Sequence, residues 1–318
     1  MKKKVYIFLI LALVLMLAVT GCKKKEEPQG EPQSPPVEQP VEEAEEEEKI
    51  SIMESFAEIL DSGATSEIAK FVEENIPKMG QLEASSMIDG LEKALTEGIG
   101  PLRDEINNME GIDKLRDLMG NDRFLSGENI AKIEDENLKK KVEEAVKSHY
   151  KLMADGMQVE PVVDYRSLLK YESKLTEEWK EYLDLMATDS DSPPFAEDTF
   201  LISFEDLGKR IINVESYMNR YISGPRQEIL LESYESKLTA FMKGLPNTPI
   251  AAYDDNILLE NVYRAYESFS ANEGFVSTGF VHDYMIALRD NGMKVDNRML
   301  AKADQYIEEA VRVMREFK

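Results

Sequence analysis

From residue 50 to the end, apolar positions recur at alternating spacings of three and four. Strand alternation cannot give this spacing, whereas one face of a helix does. The plainest stripes are Phe204, Leu207, Ile211, Val214, Met218 and Tyr221, and Leu300, Ala303, Ile307, Ala310, Met314 and Phe317. Asp296 is placed to cap the second of these. A third stripe, Leu231, Tyr234, Leu238, Phe241 and Leu245, opens after Pro225 and closes near Gly244 and Pro246. Leu138, Val142, Ala145, His149 and Leu152 form a fourth, ending near Gly156 and Pro161. The same spacing predicts helices over 51–60, 66–76, 82–97, 164–187, 254–271 and 279–290, with breaks at Pro77 and Pro101. The expected fold class is therefore all-α.

The segment Tyr171-Glu172-Ser173-Lys174-Leu175-Thr176 recurs as Tyr234-Glu235-Ser236-Lys237-Leu238-Thr239, 63 residues later, with two leucines before each copy. Fainter echoes join Pro194-Phe195-Ala196 to Pro249-Ile250-Ala251 and Val214-Glu215-Ser216-Tyr217 to the stretch around Tyr266-Glu267-Ser268-Phe269. Read as duplication, these make helical hairpins of 164–187 with 202–222 and 226–244 with 254–271, followed by a shorter pair, 279–290 with 297–317. A hairpin cannot bury its stripe alone, so the expectation is a helical-hairpin array, either an up-and-down bundle or a short α-solenoid. Tyr171, Glu172, Tyr234 and Glu235 are the candidate interaction surface, a duplicated Tyr-Glu edge along a groove between hairpins. A tyrosine on such a stripe is more commonly core, with its hydroxyl at the rim.

The first 49 residues follow other rules. Lys2, Lys3 and Lys4 precede an uncharged apolar run from Val5 to Val19, which reads as a leader and is shorter than the ~20 residues of a stable membrane span. Val19-Thr20-Gly21-Cys22 then holds the only cysteine of the chain. This tetrapeptide resembles the lipobox of bacterial lipoproteins. The resemblance covers residues 1–22 alone and implies cleavage before Cys22, a diacylglyceryl thioether on its sulfur and acylation of the new amino terminus. It also implies an extracytoplasmic, membrane-anchored protein. Because Lys23 and not aspartate follows the cysteine, the sorting rule of two-membrane bacteria leaves the outer membrane open as its destination. Residues 23–49 carry five prolines and a closing run of glutamates, a composition expected to form a disordered linker reaching ~3.1 Å per residue. The organisation expected is a signal peptide over 1–21, the lipidated cysteine and linker over 22–49, an N-terminal helical region over 50–160 and the hairpin repeat region over 161–318.

Charge narrows the partners. The formal net charge is -24, so nucleic acid, which needs a basic patch, is not an expected partner. The bilayer is engaged through acylated Cys22, and an envelope protein is the expected second partner. With the sole thiol lipidated, disulfides, thiolate metal sites and cysteine nucleophiles are unavailable.

Catalytic signals are weak. His149 falls on an apolar stripe, His282 has no histidine near it, and neither an H-E-x-x-H nor a G-x-S-x-G motif occurs. Asp189-Ser190-Asp191 begins like a calcium loop, but Pro193, Pro194 and Phe200 occupy positions that need a ligand, a turn glycine and a bidentate glutamate. Asp189, Asp191, Glu197 and Asp198 remain a looser cation candidate, and Asp254-Asp255-Asn256 most simply supplies an N-cap. No catalytic, metal or cofactor residue is assigned. The favoured reading is a non-enzymatic scaffold or protein-interaction module of the cell envelope. The alternatives are a lipoprotein that captures a peptide, cation or chelate, and a cell-wall hydrolase working through paired acids.

Overall fold

The computed structural model describes residues 39–120, 122–155, 158–196 and 198–316. It is all-α, with three small antiparallel strand pairs. The N-terminal part comprises α1 (Gln39–Ser62), α2 (Thr65–Asn75), the long α3 (Gln81–Asn107), α4 (Ile112–Met119), α5 (Gly127–Ala131) and α6 (Glu136–Lys147). Strands β1 (Tyr150–Asp155) and β2 (Gln158–Val163) follow, then the single turn α7 (Tyr165–Leu168) and a 3-10 stretch, Leu169–Lys174. The C-terminal part comprises α8 (Glu177–Asp191), β3 (Phe195–Ala196), β4 (Thr199–Phe200), α9 (Phe204–Arg220) and α10 (Gln227–Lys243). It continues through β5 (Gly244–Leu245), β6 (Thr248–Pro249), α11 (Glu260–Ser270), α12 (Val276–Asp290) and α13 (Asn297–Glu316).

Five helices start where an N-cap side-chain oxygen takes up a free amide. Ser126, Asp135, Asp164 and Ser203 each accept from the third residue inside, and Asp296 caps α13 as expected, accepting from the Met299 amide at 3.0 Å. The buried residues of α9 reproduce its sequence stripe through Met218, and those of α13 do so from Ala303 through Met314, with Leu300 half-buried and Met299 buried beside it; Phe317 lies outside the described residues.

Several expected boundaries are corrected. The linker expectation ended at residue 49, yet its described part is already helical from Gln39 onward. Glutamate and alanine are good helix formers, acidic residues suit a helix N-terminus, and Lys78 reaches Glu48 at 3.1 Å. Helix α3 runs through Pro101; the carbonyl that the proline leaves free belongs to Glu97, and both residues are exposed, so water can satisfy it. The fourth stripe is not one helix. Helix α6 stops at Lys147, His149 turns the chain at φ 65°, and Leu152 lies in β1. Strand β2 pairs with β1, packs on α3 and buries Val159, Pro161 and Val163 in alternation. Its Val159 amide and carbonyl are both bound by the Asn107 side chain, at 3.0 and 2.8 Å.

The expected helix over 164–187 is likewise broken, into α7, the 3-10 stretch and α8. The first copy of the repeated hexapeptide occupies that break, whereas the second lies in the middle of α10. What recurs structurally is a helix, a two-residue strand pair and a helix: α8-β3-β4-α9 and α10-β5-β6-α11. Phe195 and Gly244 open the two strand pairs 49 positions apart, so the structural repeat is out of phase with the 63-residue sequence repeat. Helices α12 and α13 pack as the expected hairpin. Helix α10 packs chiefly on α9 and α13, and α11 on α9 and α12.

One hydrophobic cluster runs from Phe56 in α1 to Met314 in α13. A smaller one gathers Ile106, Leu115, Met119, Ile133, Leu138, Val142, Leu152 and Val159 under α4 to α6. No described helix is long and apolar enough to cross a membrane.

Candidate functional site

Two carboxylates, Glu92 and Glu215, are built into the interior, and a third, Asp189, is half-buried beside the buried Lys237. Glu92 on α3 is 2% exposed; its Oε1 accepts from the hydroxyls of Tyr165 and Tyr182, each at 2.8 Å, and its Oε2 accepts from Arg226 Nε at 2.7 Å. Arg226 also donates to the Asp89 carboxylate at 2.6 Å and to the Asp89 carbonyl at 2.9 Å. Burial, with the charge of Glu92 beside them, pushes both phenols well above their ordinary range, so they remain donors. This hub ties α3 to α7, α8 and the left-handed residue that precedes α10.

Glu215 on α9 is fully buried. It accepts from the amides of Val276 and Ser277, from the Ser277 hydroxyl at 2.6 Å and from Tyr234 at 3.3 Å. A carboxylate from one helix thus caps the N-terminus of another, α12, where the free amides and the helix dipole favour negative charge. Asp189, the third hub, accepts from Arg210 at 2.8 Å and pairs with the buried Lys237 at 2.7 Å. The buried charges Glu92, Glu215 and Lys237 thus all have partners inside the protein, as buried charges require.

The sequence candidates separate. Val19, Thr20, Gly21 and Cys22 lie outside the described residues. Tyr171 is buried with an unpartnered hydroxyl, its ring edge-on to His149 at 6.0 Å. Tyr234 is buried against Glu215. Glu172 and Glu235 are exposed. The two copies present the same order of buried and exposed positions except that Lys174 is half-buried where Lys237 is buried, and they lie on elements without substantial mutual packing.

The cation candidate is explained by internal pairing: Asp189 is held as above, and Asp191 accepts from Lys151 at 2.7 Å and Arg166 at 3.0 Å. Burial opposes charge on Asp191, but these two cations outweigh it and hold its carboxyl below the usual range. Glu197 lies outside the described residues, among which no group of three metal-ligating side chains occurs. Asp255 receives the Ile257 amide in a turn and caps no helix, since α11 begins at Glu260.

His149 is 4% exposed. Its Nδ1 lies 2.7 Å from Ser167 Oγ, which itself donates to the Asp164 carbonyl at 2.7 Å. The serine proton is committed there, so the network assigns the imidazole as the Nδ1–H donor. Burial, reinforced by Lys170 and opposed by Glu73, brings the imidazole down to about 4. A neutral, buried histidine that holds a turn is a structural residue.

What remains accessible is an open groove of about 400 Å³ beside α10. Phe195, Ala240 and Leu245 supply its apolar surface, and Glu232, Glu235, Ser236 and Thr239 its polar one. The two small strand pairs meet here: the Phe200 amide donates to Thr248 Oγ1 and the Asn247 amide to the Asp198 carbonyl, both at 3.0 Å. Glu235 was legible as a candidate. Leu245 was read as the last position of a helical stripe, but the helix stops at Lys243 and Leu245 lies in β5; Phe195 carried no helical signal, and the meeting of the two connections is a tertiary event. A second cavity, of about 280 Å³, lies between α9, α10, α12 and α13, lined by Met218, Ile222, Val276 and Met314 among others.

Comparison of the chain with protein-family models, with curated proteins and with solved structures gives no match in any of the three.

Proposed function

We propose that this chain is a lipoprotein anchored through Cys22 on the extracytoplasmic face of a bacterial membrane, and that its helical body is a non-enzymatic module that binds another envelope protein. The observation that carries the binding half is the α10 groove, an accessible apolar surface with polar walls in a molecule whose buried ionic groups are matched internally. The lipobox-like Val19-Thr20-Gly21-Cys22 carries the anchoring half. A ligand-capturing protein draws less support. Small-molecule pockets typically enclose ~300–1,000 Å³, whereas the cavity between α9, α10, α12 and α13 holds about 280 Å³ and the larger one is an open groove.

Anchoring is tested by replacing Cys22 with alanine and fractionating cells. Two or more acyl chains hold a protein durably, at ~0.8 kcal/mol per buried CH₂, so C22A protein freed of residues 1–21 is expected to leave the detergent-dependent membrane fraction. A correctly cleaved C22A product that still requires detergent would remove the lipid anchor from the proposal. Binding is tested by cross-linking on intact cells, with recovery of a specific envelope protein expected. Recovery of none from tethered protein would count against the module.

A further inference from the structure

The α10 groove has a definable occupant. Its apolar part extends at both ends: Ile229, 44% exposed, lies one turn before Glu232, and Tyr253, 82% exposed, stands beside Pro246, next to Leu245. Between them Glu232 and Glu235 are exposed and hold no ion-pair partner among the described residues. Other acidic side chains near cations are paired, as Glu181 is with Arg220 and Asp191 with Lys151 and Arg166. Two free carboxylates over an apolar surface attract a cationic group flanked by aliphatic ones and repel anions. The net charge of -24 repels anionic lipid as well.

The face of α10 from Ile229 to Ala240 spans about 16 Å at ~1.5 Å per residue, the length of about five extended residues. We propose that this groove docks a short basic segment of a partner protein, with lysine or arginine alternating with aliphatic residues. The proposal rests on the interaction-module reading and specifies its partner's chemistry.

The test uses the full chain, purified from cells in uncharged detergent, and a dye-labelled peptide of sequence KLKVK, with ELEVE as its acidic counterpart. Saturable binding of KLKVK and none of ELEVE is expected by fluorescence anisotropy. Exposed ion pairs contribute ~0.2–1 kcal/mol each, so E232Q/E235Q is expected to weaken KLKVK binding roughly tenfold, about 1.4 kcal/mol. E54Q/E58Q, which removes equal charge from the exposed face of α1, is expected to leave it unchanged. Equal weakening by both double variants, or no saturable binding of KLKVK, overturns the proposal.

Photo-cross-linkers at Ser236, and separately at the exposed Ile222 and Ile286, then divide this inference from the reading beneath it. A basic segment of another protein captured at Ser236 supports the inference. Capture there of an acidic or uncharged segment, of a second copy, or of the chain's own Lys23-Lys24-Lys25 overturns it. A partner captured only at Ile222 or Ile286 overturns the groove and keeps the module; capture at none of the three overturns both.

Discussion

Tyr171 and Tyr234 occupy the same place in identical hexapeptides, but only Tyr234 has a partner for its hydroxyl. Leaving a buried hydroxyl unmatched costs ~1–3 kcal/mol, whereas a hydrogen bond to a charged group contributes ~1.5–3 kcal/mol. Y171F is therefore expected to be neutral or stabilising in urea denaturation, and Y234F to destabilise by about 1.5 kcal/mol. Equal effects would mean that the two hydroxyls have equivalent surroundings. His149 makes a prediction about pH. Its folded value of about 4 lies below the ordinary 6.5, so between these values the unfolded chain binds more protons. Stability is then fully present above pH 6.5 and is lost as pH falls toward 4, by roughly 3 kcal/mol for this group. Asparagine tolerates the left-handed backbone at this position and offers a non-titrating donor to Ser167. H149N is expected to flatten the slope of unfolding free energy in this window; an unchanged slope would assign the acid sensitivity to other groups.

At the scale of elements, close approach decides the sign of a substitution. An alanine for an exposed helical glycine gains ~1 kcal/mol. Gly208 on α9, however, is buried, and a Cβ there would stand 2.9 Å from Phe269 of α11 and 3.5 Å from Phe241 of α10. Overpacking costs ~1–3 kcal/mol, and these rings are already in contact with each other, their centroids 4.9 Å apart. G208A is expected to lower the thermal midpoint, while a rise would show that the rings have room to move. Elements also mark where local pattern loses authority. In the first hexapeptide copy the Thr176 amide donates to Ser85 Oγ of α3, at 3.1 Å, and the chain restarts there as α8. In the second copy the corresponding Thr239 continues α10. The six residues are the same but their continuations differ: Glu177 and Glu178 suit the first turn of a new helix, Ala240 and Phe241 continue the buried face of α10, and Ser85, 91 positions away, receives the Thr176 amide. Leu152 misled for a related reason: at the end of a helical stripe it fits the next turn, but the left-handed His149 before it redirects the chain into a strand.

At the scale of the whole molecule, stability is unevenly distributed. The main cluster joins α1 to α13, whereas α4 and α5 rest on the smaller one, and α5 has no buried residue. Regions with few buried contacts open at lower free energy than core helices. Hydrogen exchange is expected to reach the amides of α5 well before those of α10, where Leu230, Leu231, Tyr234, Leu238 and Phe241 are all buried; simultaneous exchange would indicate a single cooperative unit. The acidic surface also acts at this scale. A net charge of -24 keeps like molecules apart and leaves cationic partners attracted.

The sequence by itself determined the all-α class, the stripes of α9 and α13 and the Asp296 cap, because helical periodicity and capping are each written within a few turns of chain; it also carries the proposal of a lipid address at Cys22. Tertiary structure alone decided that Glu92 and Glu215 face partners inside, that Asp189 meets Arg210 and Lys237, and that Phe195 and Leu245 meet beside α10. Each of these depends on groups far apart along the chain whose desolvation must be matched in space, and local spacing carries no record of that matching.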